Sequence, residues 1–217
     1  MARPIRIVAL ISGGGSNMQA IIDACHAGDI DAEVVAVISN VPGAGGLNRA
    51  KRAGIAAHTI DHQSFVTRDA FEDALSQCID QHKPDLIVLA GFMRVLSARA
   101  VSPYLGRMLN IHPSLLPQLP GLHTHRRALD AGLSQHGASV HFVTPALDAG
   151  PLVVQAAVDV LEDDSPESLA ARVLEQEHRI YPAAVRWFAA GHLRYENESA
   201  LFDGITIRDP IGQSEYV

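Results

Sequence analysis

Apolar residues fall into short continuous runs that alternate with stretches of helical spacing. The runs at residues 5–11, 34–38 and 85–91 have the length and composition of strands buried on both faces. Between them, helical spacing is found at residues 45–54 and 67–82. Strands that alternate with helices predict right-handed crossovers and a mostly parallel sheet.

The second half of the chain follows a different pattern. Residues 138–144 alternate apolar and polar positions, which predicts a half-exposed strand. Residues 152–160 form another strand, and the connection between the two is too short for a parallel crossover, so we expect an antiparallel pair. A serine and a proline at 165–166 predict a helix that runs to about Ala190, and residues 193–217 predict two or three short strands and a loose tail. The fold class is therefore α/β, with a mostly parallel sheet flanked by helices and an antiparallel strand in the C-terminal half.

Two polar side chains lie two positions apart in an apolar strand at residues 108–112. Asn110 and His112 should point to the same side of the sheet. Pro113 ends the strand, because proline has no N–H to donate to the ladder. The end of a buried strand is where open α/β sheets bind ligands, although a buried histidine and an amide that satisfies the backbone would give the same pattern.

Glycines link the first strand to the first helix. In Gly13–Asn17 they allow backbone N–H groups to approach an anion, and the helix N-terminus adds partial positive charge. We expect Ser16 and Gln19 to form a capping box there. The segment is neither a Walker A loop nor a complete dinucleotide fingerprint, so a monophosphate is the favoured ligand and a turn without ligand the alternative.

Asp148 follows the 138–144 strand in a turn. Alone it is an ordinary turn aspartate, but near His112 its carboxylate would favour the imidazolium form. An imidazolium and the Asn110 amide can both donate to an oxyanion, which suits acyl or formyl transfer to an external amine. Ser114 lacks the setting of a nucleophilic serine. His123 and His125 lack a supporting metal motif, so we expect them to orient polar groups and expect no metal.

Composition excludes several classes of function. The 217 residues are 47% hydrophobic, enough for a sizeable core, and the net charge of -7 argues against binding to nucleic acid or anionic membranes. The two cysteines, Cys25 and Cys78, form no disulfide or zinc pattern, so we expect buried thiols in a reducing compartment. We see no signal peptide and no membrane span, and therefore expect a cytoplasmic protein.

Five segments, in this order, resemble the phosphoribosylglycinamide formyltransferases, a family of folate-dependent formyltransferases. The resemblance runs from about residue 5 to about residue 190 and implies a Rossmann-like fold. It also implies transfer of a formyl group from 10-formyltetrahydrofolate to the amine of phosphoribosylglycinamide, a step of de novo purine synthesis. The segments are Ile7–Asn17, Leu89–Leu96, Leu109–Pro117, Pro120–His125 and His136–His141.

The resemblance also implies roles for individual positions. Asn110, His112 and Asp148 take the catalytic places, and Gly15, Ser16 and Asn17 hold the substrate phosphate. Glu177 binds the ribose. The folate contacts are Arg68, Met93, Arg94, Val95, Leu96 and Asn110, and the loop over the pterin and formyl group is Thr144, Pro145, Ala146, Leu147 and Asp148.

We expect one formyltransferase domain over residues 1–217. About 1–105 would bind phosphate, about 106–190 would hold the catalytic and folate-binding residues, and 191–217 would form short strands and a tail. The expected partners are small molecules only, with no nucleic acid and no membrane, in a monomer or homodimer. The resemblance is weak after about residue 191, and Gly14 and Ala138 differ from residues that relatives often carry.

Three other functions compete with this one. A 10-formyltetrahydrofolate hydrolase shares the catalytic trio but usually carries an extra N-terminal domain, whereas here the first strand starts at Ile5. A methionyl-tRNA formyltransferase would need an added C-terminal domain and a basic surface. A non-catalytic nucleotide-binding module would have no need of Asn110, His112 and Asp148 together.

Overall fold

The protein is described here from a computed structural model, which covers residues 3–212. The chain divides into two compact units, residues 1–109 and 110–217. The helices are α1 (Ser16–Ala27), α2 (Gly45–Arg52), α3 (Arg68–Gln81), α4 (Ala98–Val101), α5 (Thr124–Asp130) and α6 (Pro166–Ala189). The strands are β1 (Ile5–Ile11), β2 (Ala32–Ser39), β3 (Ala56–Thr59), β4 (Leu86–Leu89), β5 (Met108–His112), β6 (Gln135–Phe142), β7 (Leu152–Asp159), β8 (Leu193–Glu196), β9 (Ser199–Phe202) and β10 (Ile205–Thr206). The larger sheet has the strand order β3-β2-β1-β4-β5-β6-β7, and β10-β9-β8 form a small sheet.

The first unit is built on parallel strands. β1 pairs in parallel with β2 and β4, and β2 pairs in parallel with β3. The continuous apolar run of β1 is explained by its central position, because the side chains from Ile7 to Ile11 are buried on both faces. The carboxyl end of β1 therefore leads the chain directly into the glycine segment.

The start of α3 agrees with the sequence prediction, whereas the start of α1 does not. The helix predicted over 67–82 is α3, and Thr67 lies just before it and caps it by accepting a hydrogen bond from the Ala70 N–H. The predicted capping box at the start of α1 is wrong. Gly15 is the N-cap, with φ +71, and Ser16 is the first helical residue. A glycine makes that left-handed turn at no steric cost, so no side-chain cap is formed.

The helix between β4 and β5 is short. Ser97 does cap α4, accepting from the Ala100 N–H, but α4 ends at Val101 and a 3-10 turn follows over Ser102–Tyr104. Pro103 lies inside that turn and has no N–H for a helical hydrogen bond. The segment therefore reaches β5 through a tighter turn.

The second unit contains an antiparallel pair and a long helix. β6 and β7 pair antiparallel, as the short connection predicts, and α6 packs against both. α6 begins at Pro166, with a capping box between Ser165 and Ser168. The half-exposed character expected of β6 is wrong, because only Gln135 is exposed in it. The Ser139 hydroxyl on β6 bonds the loop that follows β5, so this loop covers polar positions that would otherwise face water.

The α/β fold class is confirmed, with a mostly parallel larger sheet, flanking helices and an antiparallel strand near the C-terminal end. The short strands predicted after residue 193 are β8, β9 and β10, whereas the end of the predicted tail, residues 213–217, lies outside the described residues. Among residues 3–212, no helix has both the length and the apolar character needed to cross a membrane.

Candidate active site

A buried acid–imidazole pair lies at the end of β5. His112, the last residue of the strand, has its Nδ1 atom 3.5 Å from Oδ2 of Asp148, in the connection between β6 and β7. The two side chains are 7% and 9% exposed. The other ring nitrogen of His112, Nε2, lies 3.0 Å from the Leu119 carbonyl. Both nitrogens therefore face oxygen acceptors in a site that largely excludes water.

A second histidine joins the pair to Asn110. The Asn110 amide Nδ2 is 3.1 Å from His141 Nε2, and this Nε2 is 3.9 Å from Oδ1 of Asp148. Because His141 Nδ1 lies 2.8 Å from the Phe142 carbonyl and donates to it, Nε2 of the neutral ring accepts from Asn110. Burial lowers the pKa of His141, which keeps the ring neutral. Asn110, His141, Asp148 and His112 thus form one connected chain of polar groups.

No role was predicted for His141, because spacing along β6 pairs it only with Ser139 on its own strand. Ser139 and His141 are two positions apart in β6, so their side chains share one face of the sheet. Ser139 bonds the loop after β5, and His141 bonds the strand itself. What was missing from the sequence was the knowledge that β6 contributes to the same site.

The Asp148 carboxylate is held by its own backbone and by a neighbouring loop. The residue has φ +48, a left-handed conformation that an aspartate tolerates better than most residues. Its Oδ2 accepts a hydrogen bond from the Gly121 N–H at 2.8 Å. Two positions later, a Cβ added to Gly150 would lie 1.8 Å from the Phe142 carbonyl oxygen. The connection between β6 and β7 is therefore constrained from Asp148 to Gly150.

The loop after β5 is fixed by polar contacts as well as by its prolines. Ser114 Oγ donates to the Gln118 carbonyl at 2.6 Å, and Ser139 Oγ donates to the Ser114 carbonyl at 2.6 Å. Gln155 on β7 donates to the Leu116 carbonyl at 2.7 Å. Leu119 and Gly121, which contact the acid–imidazole pair, belong to this loop, so the loop positions the pair.

The glycine segment lies in the first unit, between β1 and α1. The Gly46 N–H donates to the Gly13 carbonyl at 3.0 Å, which brings the start of α2 against the segment. A Cβ on Gly15 would lie 2.9 Å from the Cα of Gly46, so both glycines are required by close approach. Asn17 is buried and Ser16 half-buried at the first turn of α1, where the helix N–H groups can bind an anion.

One cation near this segment was not predicted. Arg49, on α2, donates from Nε to the Gly14 carbonyl at 2.9 Å. Its guanidinium therefore lies beside the backbone of the expected anion site. The sequence places Arg49 on a basic helix, but only the approach of α2 to the glycines reveals where it lies.

Arg68, one of the positions that the resemblance assigns to folate in the first unit, links the buried carboxylate of Glu72 to the 93–96 run. Arg68 donates from Nε to Glu72 at 2.8 Å and from its NH2 to the Val95 carbonyl at 2.6 Å. Glu72, 1% exposed, also accepts from the Ser97 N–H at 2.8 Å. Met93 and Val95 are exposed whereas Leu96 is buried, and Arg94 is exposed without a described hydrogen bond to this cluster. Arg68 thus anchors the 93–96 run.

The remaining predicted positions lie in the second unit. Pro145, Ala146 and Leu147 are exposed in the connection after β6, and Thr144 Oγ1 lies 3.5 Å from the Ala146 carbonyl. Glu177 is buried on α6.

Two histidines near α5 form a separate pair. His125 Nδ1 and His136 Nε2 are 3.1 Å apart, and burial lowers the pKa of both rings, that of His136 to about 4. His123 is the N-cap of α5, with φ +58. The structure therefore joins His125 to His136, and gives His123 a backbone role.

Comparison with known proteins identifies the family. The formyl transferase family model matches residues 5–185. The chain is 54% identical over 200 residues to the phosphoribosylglycinamide formyltransferase of Escherichia coli K12, covering 92% of this chain and 94% of the relative. It is 45% identical to the protein of the same name from Haemophilus influenzae, over 92% of this chain and 94% of the relative. Among solved structures, the phosphoribosylglycinamide formyltransferase of Coxiella burnetii superposes with a TM-score of 0.92 at 51% identity, covering 96% of this chain and 99% of the other. The resemblance noted in the sequence and the Rossmann-like fold that it implies are thereby confirmed, and the chain belongs to the formyl transferase family and, within it, to the phosphoribosylglycinamide formyltransferases.

Proposed function

We propose that this enzyme transfers a formyl group from 10-formyltetrahydrofolate to the amine of phosphoribosylglycinamide, in de novo purine biosynthesis. The observation that carries the proposal is the buried His112–Asp148 pair, in a chain whose relatives at 54% and 45% identity are named for this reaction. In the reaction the amine attacks the formyl carbon, the bond from that carbon to the folate nitrogen breaks, and a proton moves from the amine to the departing nitrogen.

Asn110 and His112 are suited to stabilise the negative charge that develops on the formyl oxygen. An amide N–H and a ring N–H are both hydrogen-bond donors, and their effect on an oxyanion is largest where water is excluded. His112 Nε2 faces the Leu119 carbonyl in this structure, so its N–H would exchange that acceptor for the formyl oxygen when the substrates bind. His141 accepts from one N–H of Asn110 and so fixes the orientation of the amide, whose second N–H remains to donate. We assign oxyanion stabilisation to Asn110 and His112, and a positioning role to His141.

Asp148 is suited to two tasks. Its Oδ2 lies 3.5 Å from His112 Nδ1, so the carboxylate faces the ring and can hold its orientation. A carboxylate that is fixed by the Gly121 N–H can also pass a proton from the attacking amine through a water molecule. Neither task needs a covalent intermediate or a metal.

The phosphate of the substrate is assigned to the backbone of Gly15, Ser16 and Asn17. Helix N–H groups and the partial positive charge at the start of α1 favour a phosphate, and Arg49 adds a full positive charge beside Gly14. The buried carboxylate of Glu177 is assigned to the ribose, since a carboxylate accepts from two hydroxyl groups at once.

Two segments are assigned to the folate. In the first unit, Arg68 holds the 93–96 run, in which the exposed Met93 and Val95 offer apolar surface to an aromatic ring. In the second unit, the 144–148 connection carries the exposed Leu147 next to Asp148. The full set assigned to the folate is Arg68, Met93, Arg94, Val95, Leu96, Asn110, Thr144, Pro145, Ala146, Leu147 and Asp148.

The hydrolase is the alternative that uses the same trio, and it is disfavoured by the names of the relatives. The decisive assay gives the purified enzyme one formyl donor, with water alone or with phosphoribosylglycinamide. We expect release of tetrahydrofolate only when the amine is present, with N-formylglycinamide ribonucleotide as product. Rapid release without the amine would contradict the transferase. Glycinamide riboside, which lacks the phosphate, should bind far more weakly, and equal affinities would contradict the anion site.

We further propose that residues 1–217 act as one formyltransferase domain in the cytoplasm, as a monomer or homodimer. Both cysteines are free thiols, which suits a reducing compartment. Sedimentation velocity of the purified enzyme would distinguish the two oligomeric states.

A further inference from the structure

Three side chains that can bind a metal converge in the first unit, on residues that have no part in the proposed reaction. His58 lies on β3, Cys78 on α3, and His82 is the C-cap residue of α3. One ligand atom from each residue lies within 4.8 Å of the other two. Among the described residues 3–212, no other group of three histidine, cysteine or acidic side chains brings its ligand atoms this close together.

Helical spacing explains why two of the three meet. Cys78 and His82 are four positions apart, so they lie on the same face at the end of α3, an arrangement that zinc sites on helices use. His58 faces them from β3, with its Nε2 2.9 Å from the Nε2 of His82. Arg6 donates from Nε to the His82 carbonyl at 2.9 Å and fixes the end of the helix. The three ligands thus come from elements held in place by other contacts.

The protonation states of these groups suit a metal ligand set. Burial and the nearby charges of His58 and Arg6 lower the pKa of His82, so its ring is neutral and carries a free lone pair. The Nε2 atoms of His58 and His82 lie 2.9 Å apart, so the two possible ligand atoms already point at each other. Burial raises the pKa of the Cys78 thiol, but a coordinating metal removes the thiol proton outright.

We propose that His58, Cys78 and His82 form a Zn²⁺ site with three protein ligands and a fourth position open to water. Imidazole and thiolate ligands favour zinc over magnesium or calcium, which prefer oxygen. Zinc–nitrogen bonds of about 2.0–2.1 Å at tetrahedral angles place two nitrogens about 3.3 Å apart, so the two rings need to separate by roughly 0.4 Å. His58 and His82 are half-buried, so water can reach the open position.

Charge at the site is compatible with the ion. Arg6 is the cation whose charge is felt at His82, and it disfavours a dication there. The Cys78 thiolate formed on binding offsets one of the two positive charges of the ion. Bound zinc would join β3 to the end of α3, and would therefore stabilise the first unit by binding the folded state alone.

Titration with Co²⁺ tests the proposal, because cobalt replaces zinc and reports a thiolate ligand by a sulfur-to-metal absorption band in the near ultraviolet. We expect tag-free, metal-free enzyme to bind one Co²⁺ with this band, and to release it to one equivalent of Zn²⁺ but not to excess Mg²⁺. Cys78→Ser should abolish the band and weaken Zn²⁺ binding at least tenfold. Cys25→Ser is the matched control, since it removes the other free cysteine of the chain. It should leave the absorption band and the Zn²⁺ affinity unchanged.

His58→Gln and His82→Gln should each weaken Zn²⁺ binding at least tenfold, and these half-buried positions decide the matter if Cys78→Ser fails to fold. Zn²⁺ should raise the melting temperature of the parent enzyme and of Cys25→Ser, but not of Cys78→Ser. The proposal is overturned if Co²⁺ binds without a thiolate band, if Cys25→Ser loses the band, or if both histidine variants bind zinc as the parent does.

Discussion

The glycine segment of the first unit and the acid–imidazole cluster of the second, the two proposed sites for charged groups, are built in opposite ways. Around Gly15 the groups that can meet an anion are backbone N–H groups, brought within reach because Gly15 and Gly46 have no side chains. Around His112 the groups are side chains, buried to 7% and 9% exposure and bonded to one another. One site depends on the absence of side chains and the other on their exact chemistry.

This difference determines how each site should fail. A backbone site is damaged by added volume, and such damage should weaken binding of the substrate without changing the chemical step. A side-chain site is damaged when a substitution removes a functional group, and such damage should slow the chemical step while the protein stays folded. Three of the four predictions below test the distinction, and the one on His136 tests the stability of the surrounding fold; they run from the largest expected effect to the smallest.

His112→Ala should reduce kcat by about 1,000-fold, because the oxyanion loses a donor that cannot be replaced by water in a buried site. Circular dichroism and the melting temperature should show a folded protein. His192→Ala is the control, since His192 pairs with Asp203 at the surface, and it should keep full activity. A folded His112→Ala enzyme with near-parental kcat would remove His112 from the mechanism.

Asp148→Asn should reduce kcat by about 100-fold, because it removes the negative charge beside His112 and the group that moves the amine proton. The asparagine oxygen can still accept from the Gly121 N–H, so the loop keeps its position. Asp203→Asn, at the exposed pair with His192, should have no effect on kcat. If Asp148→Asn matches the parent across the pH range, the carboxylate charge has no catalytic role.

Acid should destabilise the enzyme in part through His136, whose pKa burial lowers to about 4. Above the ordinary histidine pKa of 6.5, the ring is neutral in both the folded and the unfolded chain. As pH falls from about 6.5 to about 4, the unfolded chain takes up the proton first, so the folded state loses up to about 3 kcal/mol.

Urea unfolding at pH 7 and pH 5 measures this loss of stability. His136→Gln should show a smaller loss than the parent, because glutamine does not titrate. Equal losses in the two proteins would show that His136 is not the group responsible. Activity at pH 7 is the wrong measure here, since the ring is already neutral at that pH.

Gly15→Ala should raise the KM for phosphoribosylglycinamide about tenfold with little change in kcat, the smallest of the four effects. The added methyl would meet Gly46 at 2.9 Å, and φ +71 costs a non-glycine residue roughly 1–2 kcal/mol. Gly28→Ala, at the other end of α1, has the same backbone strain with no atom in the way. It should lower stability to a similar degree without raising KM, and a shared KM effect would contradict the anion site.

Sequence patterns predicted the elements well where a local signal was strong. Ser165 caps α6 as expected, α3 begins and ends within one residue of the predicted 67–82 helix, and the run before Pro113 is β5. The capping box at Ser16 failed because the approach of Gly46 selects a glycine N-cap, a long-range requirement that local spacing does not carry.

Long-range contacts also explain what the site analysis missed. The alternation of apolar and polar residues along β6 predicted a half-exposed strand. The loop after β5 covers that strand, so its polar residues are buried. The role of His141 follows from its contact with Asn110, and that of Arg49 from its hydrogen bond to Gly14. Both contacts join residues that are far apart in the sequence. Residue type and spacing were enough to predict Asn110, His112 and Asp148 as site residues. The groups that orient them could be identified only from distances in the folded structure.

The connection between β6 and β7 has a consequence for engineering the enzyme. Gly150 admits no substituent at one end, and Asp148 must keep its left-handed backbone and its bond to Gly121. Pro145, Ala146 and Leu147 form a continuous exposed run in this connection that is free of those constraints. A library aimed at accepting altered folates should therefore randomise these three positions and retain the length of the loop.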